Sequence, residues 1–494
     1  MVFGKTFKKL LVFAAAGFLL TGCDLGGNGD GSGSDDTPTT EGLIKEATEI
    51  TFSTTAGKNN QDALNSMIDS FKKIEPNVTV KLDIVSGSYS DIASTVKDGF
   101  NSGVYADLAM VYPDAVADYI DAARAIKLDN YINNKDYGLS EEDLKDILPS
   151  FLEEGRQYTS TGTFSMPFSK STEIVYYDRS KILGLELDGV NNGDPINQRY
   201  LDNLTWDEFF DNFCPKLVAF TETEAGKNYI DKTGDNGWAV LSYDSDANLF
   251  ITLAEQYGYD YTKVENGVGK LLFSNDGMKA LCKKFNGYAK NHYINSQAST
   301  NVRSNTYMQA GQSLFAVGST AGTQYYSPAN NTIDIGVFRL PQKDNSNAKV
   351  LLQGPSMTFL RHLKADGTTD QNRALASWLF YRHCITKQNA LLWSTTANYM
   401  PIRESAYATK DYEDVYNEKN CTPKTQDMLD ARVANKVADF QQMYFTSPAF
   451  KGSNAARDAV DGLMGKVLGK TCNGTDDEIN AIFKEAYDAA SKQL

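Results

Sequence analysis

Between Glu49 and Val111 the apolar residues switch from alternate spacing to helical spacing and back, twice. Residues 49–53 (EITFS) predict a short strand. Ala63, Leu64, Met67, Ile68 and Phe71 fall on one face of a helix over 61–75. Pro76 ends that helix, because the residue before a proline resists the helical region. Val78, Val80, Leu82 and Ile84 then alternate as a strand. Ile92, Val96 and Phe100 mark a second helix, and 107–111 (DLAMV) a third strand. This β-α-β-α-β run predicts a mainly parallel sheet with helices on its faces. Ligands of such sheets sit beyond the carboxyl ends of the strands. Residues 53–60, 86–91 and 112–114 are therefore the first places to look for a site.

The alternation continues. Strands are expected at 163–167, 173–177, 238–242 and 313–317, the last followed by the small-residue loop Gly318-Ser319-Thr320-Ala321-Gly322. Helices are expected at 249–257, 374–386 and 475–492. Thr205-Trp206-Asp207-Glu208 has the form of a capping box, with Trp206 expected to pack. About 450 residues are too many for one core, so two or more domains are expected. No internal repeat is visible.

The N-terminal end reads as an export signal. Lys5, Lys8 and Lys9 precede an apolar run of 11 residues, Leu10 to Leu20, and then Leu20-Thr21-Gly22-Cys23. Eleven residues are too few for a membrane-spanning helix. The tetrad resembles the lipobox of bacterial lipoproteins. That resemblance implies cleavage before Cys23 and acylation of its thiol, enough lipid for stable anchoring. Residues 24–42 (DLGGNGDGSGSDDTPTTEG) contain one large apolar residue and predict a flexible tether over 23–43, holding the body roughly 25 Å from the membrane. Cleavage would remove three lysines and leave 45 basic against 63 acidic residues, a charge of −18. This argues against nucleic acid as a partner, and makes lipid rather than charge the membrane contact.

Chemical motifs are sparse. His292, His362 and His383 lack partners at helical spacing, and no P-loop, G-x-G-x-x-G or G-x-S-x-G is present. No metal or cofactor is expected. Cys214, Cys282, Cys384, Cys421 and Cys472 allow at most two disulfides, with buried or loosely paired thiols the simplest reading. Asp244 and Asp246 form a spaced carboxylate pair of the kind glycosidases use, although paired Asp residues in loops are more often hydrogen-bonding groups. An extracytoplasmic glycan hydrolase or a surface adhesin are thus the rival classes.

Three blocks carry a resemblance. Pro167-Phe168-Ser169-Lys170-Ser171-Thr172-Glu173-Ile174-Val175-Tyr176-Tyr177, Thr205-Trp206-Asp207-Glu208-Phe209 and Asn398-Tyr399-Met400-Pro401-Ile402 resemble the "PF-x-x-ST-x-x-x-YY", "TW-x-E" and "GYLPI" segments of the substrate-binding proteins of ABC importers. The similarity runs from about Ile50 to the C-terminus. It implies a type II periplasmic-binding-protein-like α/β fold with the ligand cleft between two lobes. The lobes are expected at 44–155 with 306–360, and at 156–305 with 361–494, joined by crossings near 153–170, 300–310 and 360. The layout is similar to glycerol-3-phosphate binders. It implies ligand contacts from Tyr89, Asp114, Ser171, Ser319, Thr320, Gly354, Tyr399 and Arg457, with Glu173, Tyr243 and Asp244 from the same segments. Two departures stand out. Phe52-Ser53-Thr54 replaces an "FWH" platform. Ser242-Tyr243-Asp244-Ser245-Asp246 replaces ligand-facing tryptophans, and its carboxylates would repel phosphate. The expected solute is therefore a neutral sugar or oligosaccharide, with a polyol phosphate as the alternative. The resemblance further implies a non-enzymatic, monomeric, extracytoplasmic capture subunit that delivers to membrane permease subunits.

Overall fold

The computed structural model describes residues 42–234, 237–327 and 332–494. The expected signal, Cys23 and all but the last two residues of the tether lie outside them. Two mixed sheets organise the body. The first has the order β2-β1-β3-β13-β4, built from β1 (Thr48–Thr54), β2 (Val78–Ile84), β3 (Leu108–Val111), β4 (Ser165–Pro167) and β13 (Ser356–Phe359). The strands β1, β2 and β3 are parallel, as the early alternation predicts, and β13 runs antiparallel to β3 and β4.

The second sheet has the order β14-β12-β5-β10-β6-β9, with β11 also pairing β5. It comprises β5 (Ser171–Asp178), β6 (Leu241–Tyr243), β9 (Ile294–Ser296), β10 (Phe315–Ser319), β11 (Ile335–Phe338), β12 (Val350–Gln353) and β14 (Tyr444–Phe445). A separate hairpin joins β7 (Thr262–Glu265) to β8 (Val268–Leu271). All eight residues of β5 are buried, because strands cover both its edges and side chains cover both its faces.

Helix α1 (Lys58–Ile74) buries Ala63, Leu64, Met67 and Phe71, the face expected from spacing apart from the half-buried Ile68. Phe71 and Phe52 both meet Phe380 edge-on, at 5.3 and 6.1 Å between ring centroids. Helix α2 (Tyr89–Gly99) opens with a capping box between Ser88 and Asp91. Thr205 accepts from the Glu208 N–H at 3.1 Å, one half of the expected box, while the Glu208 carboxylate turns to the Tyr200 hydroxyl at 2.7 Å and the turns over Glu208–Phe213 widen to π-helical geometry. Trp206 is buried against Phe210 and donates to Gln256 at 2.8 Å.

The expected lobe boundaries need correction. Residues 315–353 belong to the second sheet, because β10 and β12 pair directly with β5. Residues 371–397 belong to the first, because Trp378, Phe380 and Tyr381 pack on Phe359 and Phe52. The final segment returns to the second sheet through β14. The chain passes between the sheets at 168–170 and 354–355, and again beyond 403; residues 300–310 lie within the second lobe, where Ser304 donates to the β10 carbonyl of Val317 at 3.1 Å. The five cysteines of the described body form no disulfide. No helix among the described residues is long and apolar enough to cross a membrane.

Candidate functional site: a cleft between the two sheets

A cleft opens where the end of β3 meets the second lobe. From the first lobe it is lined by Tyr112, Asp114 and Glu154. From the second it is lined by Asn248 and Ile251 of helix α3 (Asp246–Tyr257), Tyr261 and Thr262 of the hairpin, Gln353 of β12, and Ser453 and Arg457 of helix α4 (Ser453–Leu468). The Ser453 hydroxyl donates to Asp114, so the two lobes touch across the cleft mouth.

The polar groups of the cleft are held from behind. The Arg457 guanidinium donates to the Asn248 side-chain oxygen. The Asn248 amide donates to Glu173 at 3.0 Å and Gln353 at 2.9 Å. Tyr243 donates to the other Glu173 oxygen at 2.7 Å. Burial pushes the Glu173 carboxyl up to about 7, against the bonds from Tyr243 and Asn248 that favour its charge. Burial also raises the Tyr112 phenol to about 12, and raises Asp458, whose carboxyl is further disfavoured by Asp461 and Asp114. The Thr262 hydroxyl is buried and has no hydrogen-bond partner among the described residues.

A second group adjoins this one through rings. Tyr89 meets Tyr112 edge-on at 5.8 Å and shares a 2.6 Å hydroxyl contact with Tyr399. Tyr399 stacks over Trp393 and, with Thr320, Asn398 and Asp430, lines a smaller pocket.

The expected contact residues therefore divide. Asp114 and Arg457 line the cleft, and Tyr89 and Tyr399 lie beside it. Glu173 and Tyr243 are buried behind Asn248, where they support the lining. Gly354 sits at the inter-sheet crossing with φ +93°, and a Cβ there would come within 2.1 Å of the Ser169 carbonyl oxygen. Ser171 is buried in β5. Thr320 accepts from the Thr172 N–H at 3.1 Å, and Ser319 from the Ala321 N–H at 3.2 Å.

Asp244 is not in the cleft lining: it accepts from the Ser304 N–H at 2.7 Å and the Tyr326 hydroxyl at 2.9 Å. A free helix N-terminus attracts a carboxylate, and Ser304 opens one. Asp246 likewise accepts from the Ala298 N–H at 2.9 Å. Asn248, two positions further along, reaches the cleft instead. Glu154, Asn248, Gln353, Tyr261 and Thr262 were not singled out from sequence. Only Asn248 left a signal, lying just past the Ser242–Asp246 segment.

The sequence profile of bacterial extracellular solute-binding proteins matches residues 66–418. No curated protein gives a significant match. Among solved structures, UgpB of Mycobacterium tuberculosis in complex with glycerophosphocholine superposes with a TM-score of 0.65 at 15% identity, covering 90% of this chain and 99% of that one. The GacH receptor of Streptomyces glaucescens, solved unliganded and with acarbose, gives 0.62 at 15% identity, with 90% and 99% covered. The sugar-binding protein MalE of Xanthomonas citri gives 0.65 at 12%, with 90% and 98% covered. These likenesses bear on the fold, which is the two-lobed α/β architecture expected from sequence. The length of the profile match, together with that architecture, places the chain in the bacterial extracellular solute-binding protein family.

Proposed function

We propose that this protein captures a sugar or oligosaccharide between its lobes and delivers it to the permease of an ABC importer. The observation that carries this reading is the lining of the cleft: tyrosine rings beside carboxylates, side-chain amides and one arginine, several fixed from behind by buried partners. Tyrosine faces suit the apolar faces of sugar rings. Fixed acceptors and donors suit their hydroxyls. A solute touching both lobes stabilises the closed form, because only that form makes both sets of contacts. The two-lobed relatives that bind maltodextrins and acarbose support the same assignment.

A polyol phosphate is the second reading, favoured by one observation. Arg457 lines the cleft, and the Asp244 and Asp246 carboxylates that would repel phosphate are bonded elsewhere. Against it stand Asp114 and Glu154 in the same lining.

Heating the purified body with sugars, polyols and glycerol phosphates tests both. A solute at a hundred times its dissociation constant stabilises by about 2.7 kcal/mol. Stabilisation by sugars is expected; stabilisation by phosphate esters alone favours the second reading, and none by any solute refutes both. The protein acts as a monomer outside the cytoplasm, without a cofactor, anchored by lipid on Cys23. Cys23→Ala is expected to abolish labelling by radioactive palmitate and release the protein from membranes; retained labelling refutes the anchor.

A further inference from the structure

We infer that Glu154 is a solute-binding residue whose carboxylate the inter-lobe crossing itself holds in place. The inference rests on the sugar-capture reading. Glu154 ends the short helix Pro149–Glu154, is 4% exposed and lines the cleft. Its Oε2 accepts from Lys170 and from the Ser356 hydroxyl, the latter at 2.8 Å. Lys170 is fully buried and also donates to the Gly354 carbonyl at 2.9 Å. The two crossings therefore meet at this ion pair, with Lys170 on one and Gly354 and Ser356 at the other. The Ser169 N–H reinforces the junction by donating to the Pro355 carbonyl at 3.2 Å.

Glu154 Oε1 accepts no hydrogen bond among the described residues. Oε1 is not sealed from solvent: it is open to the cleft that Glu154 lines, where a bound solute would exchange with water. The cleft is where the completing donor would come from. An ionised carboxylate only accepts, so the group it takes must be a donor: a sugar hydroxyl, or a neighbouring pair of them. Tyr112 lines the same cleft and offers a ring to the sugar's apolar face. A phosphate or carboxylate placed at this end of the solute would meet like charge. Because Oε2 is tied to Lys170, a solute bound at Oε1 loads the crossing directly.

Calorimetric titration with glucose, galactose, xylose, maltose, cellobiose, raffinose and glycerol 3-phosphate tests this in the wild type, in Glu154→Gln and in the double variant Glu154→Gln/Lys170→Met. The double variant removes the buried charge that the single variant leaves unpaired. The expected result is a sugar bound by the wild type and bound about tenfold to a hundredfold more weakly by both variants, the range for a hydrogen bond to a charged group. Affinity within twofold of wild type in the single variant, or restored in the double, overturns the role of Glu154 and leaves sugar capture standing. A wild type that binds no sugar of the set, or glycerol 3-phosphate alone, overturns the sugar reading and this inference with it.

Discussion

Arg457 and Asn248 come from helices far apart in the chain, and the guanidinium of one donates to the side-chain oxygen of the other at the edge of the cleft. Asn248 has no spare donor left to reorient with, since its amide protons go to Glu173 and Gln353. Asn248→Ala should therefore weaken solute binding about tenfold or more while leaving the melting temperature within a few degrees. Arg457→Lys should not restore the geometry, because an ammonium lacks the planar fork. Isothermal titration of both variants against the wild type checks this, and wild-type affinity in Asn248→Ala refutes it.

The second prediction concerns pH. The folded Glu173 carboxyl, pushed up to about 7 by burial, holds its proton more tightly than an ordinary carboxyl near 4.5. The cost of charging it is absent below about pH 4.5 and fully present above about pH 7. Stability contributed by this group therefore falls as pH rises through that window, by at most about 1.4 kcal/mol per pH unit. Asp246, raised to about 7 mainly by burial, adds a fall of the same sign. Urea midpoints between pH 4 and 8 should be flatter in Glu173→Gln than in wild type, with the Asp246 share remaining.

Gly354 adopts a left-handed backbone in which a side chain would strike the Ser169 carbonyl. Gly354→Ala should cost at least about 1–3 kcal/mol in denaturant unfolding. It should also weaken solute binding, since it displaces the Lys170–Glu154 junction. An unchanged unfolding midpoint would show that the crossing relaxes freely.

The thiols give a fourth prediction. Cys214, Cys282, Cys384 and Cys472 are buried, and Cys421 is partly exposed. A thiol reagent should label Cys421 first in the native protein, and all five of these thiols only after unfolding. Reducing agent should leave the melting temperature unchanged.

The first lobe's opening was legible in the sequence because α1, β2 and α2 each have one covered face, which leaves a clean period of two or of 3.6, while β3, buried throughout, reads as a short continuous apolar run. The boundaries were not legible. Whether β10 joins one sheet or the other depends on its pairing with β5, a choice made between strands distant in the chain. The same limit governed the site. Tyr89 and Asp114 follow strands whose ends could be placed, whereas Tyr399 and Arg457 rested on the family resemblance; all four lie at or beside the cleft. Asp244 looked like a lining residue until the Ser304 helix start arrived from another part of the chain to occupy it. Glu154 carried no local mark, because its meaning lies in Lys170 and Ser356, which no spacing rule connects to it.

The pairing of β5 also has a consequence for how the chain acquires its shape. Its strand partners all come later in the chain, in β10, β11 and β12. Until they are made, the run Ile174-Val175-Tyr176-Tyr177 has no cover, and the closure entropy of a long loop must be met before any pairing repays it. The second sheet therefore cannot close around β5 until β12 has been made. During synthesis this one short segment is the place where a holdase chaperone would bind, and where self-association would begin if none did.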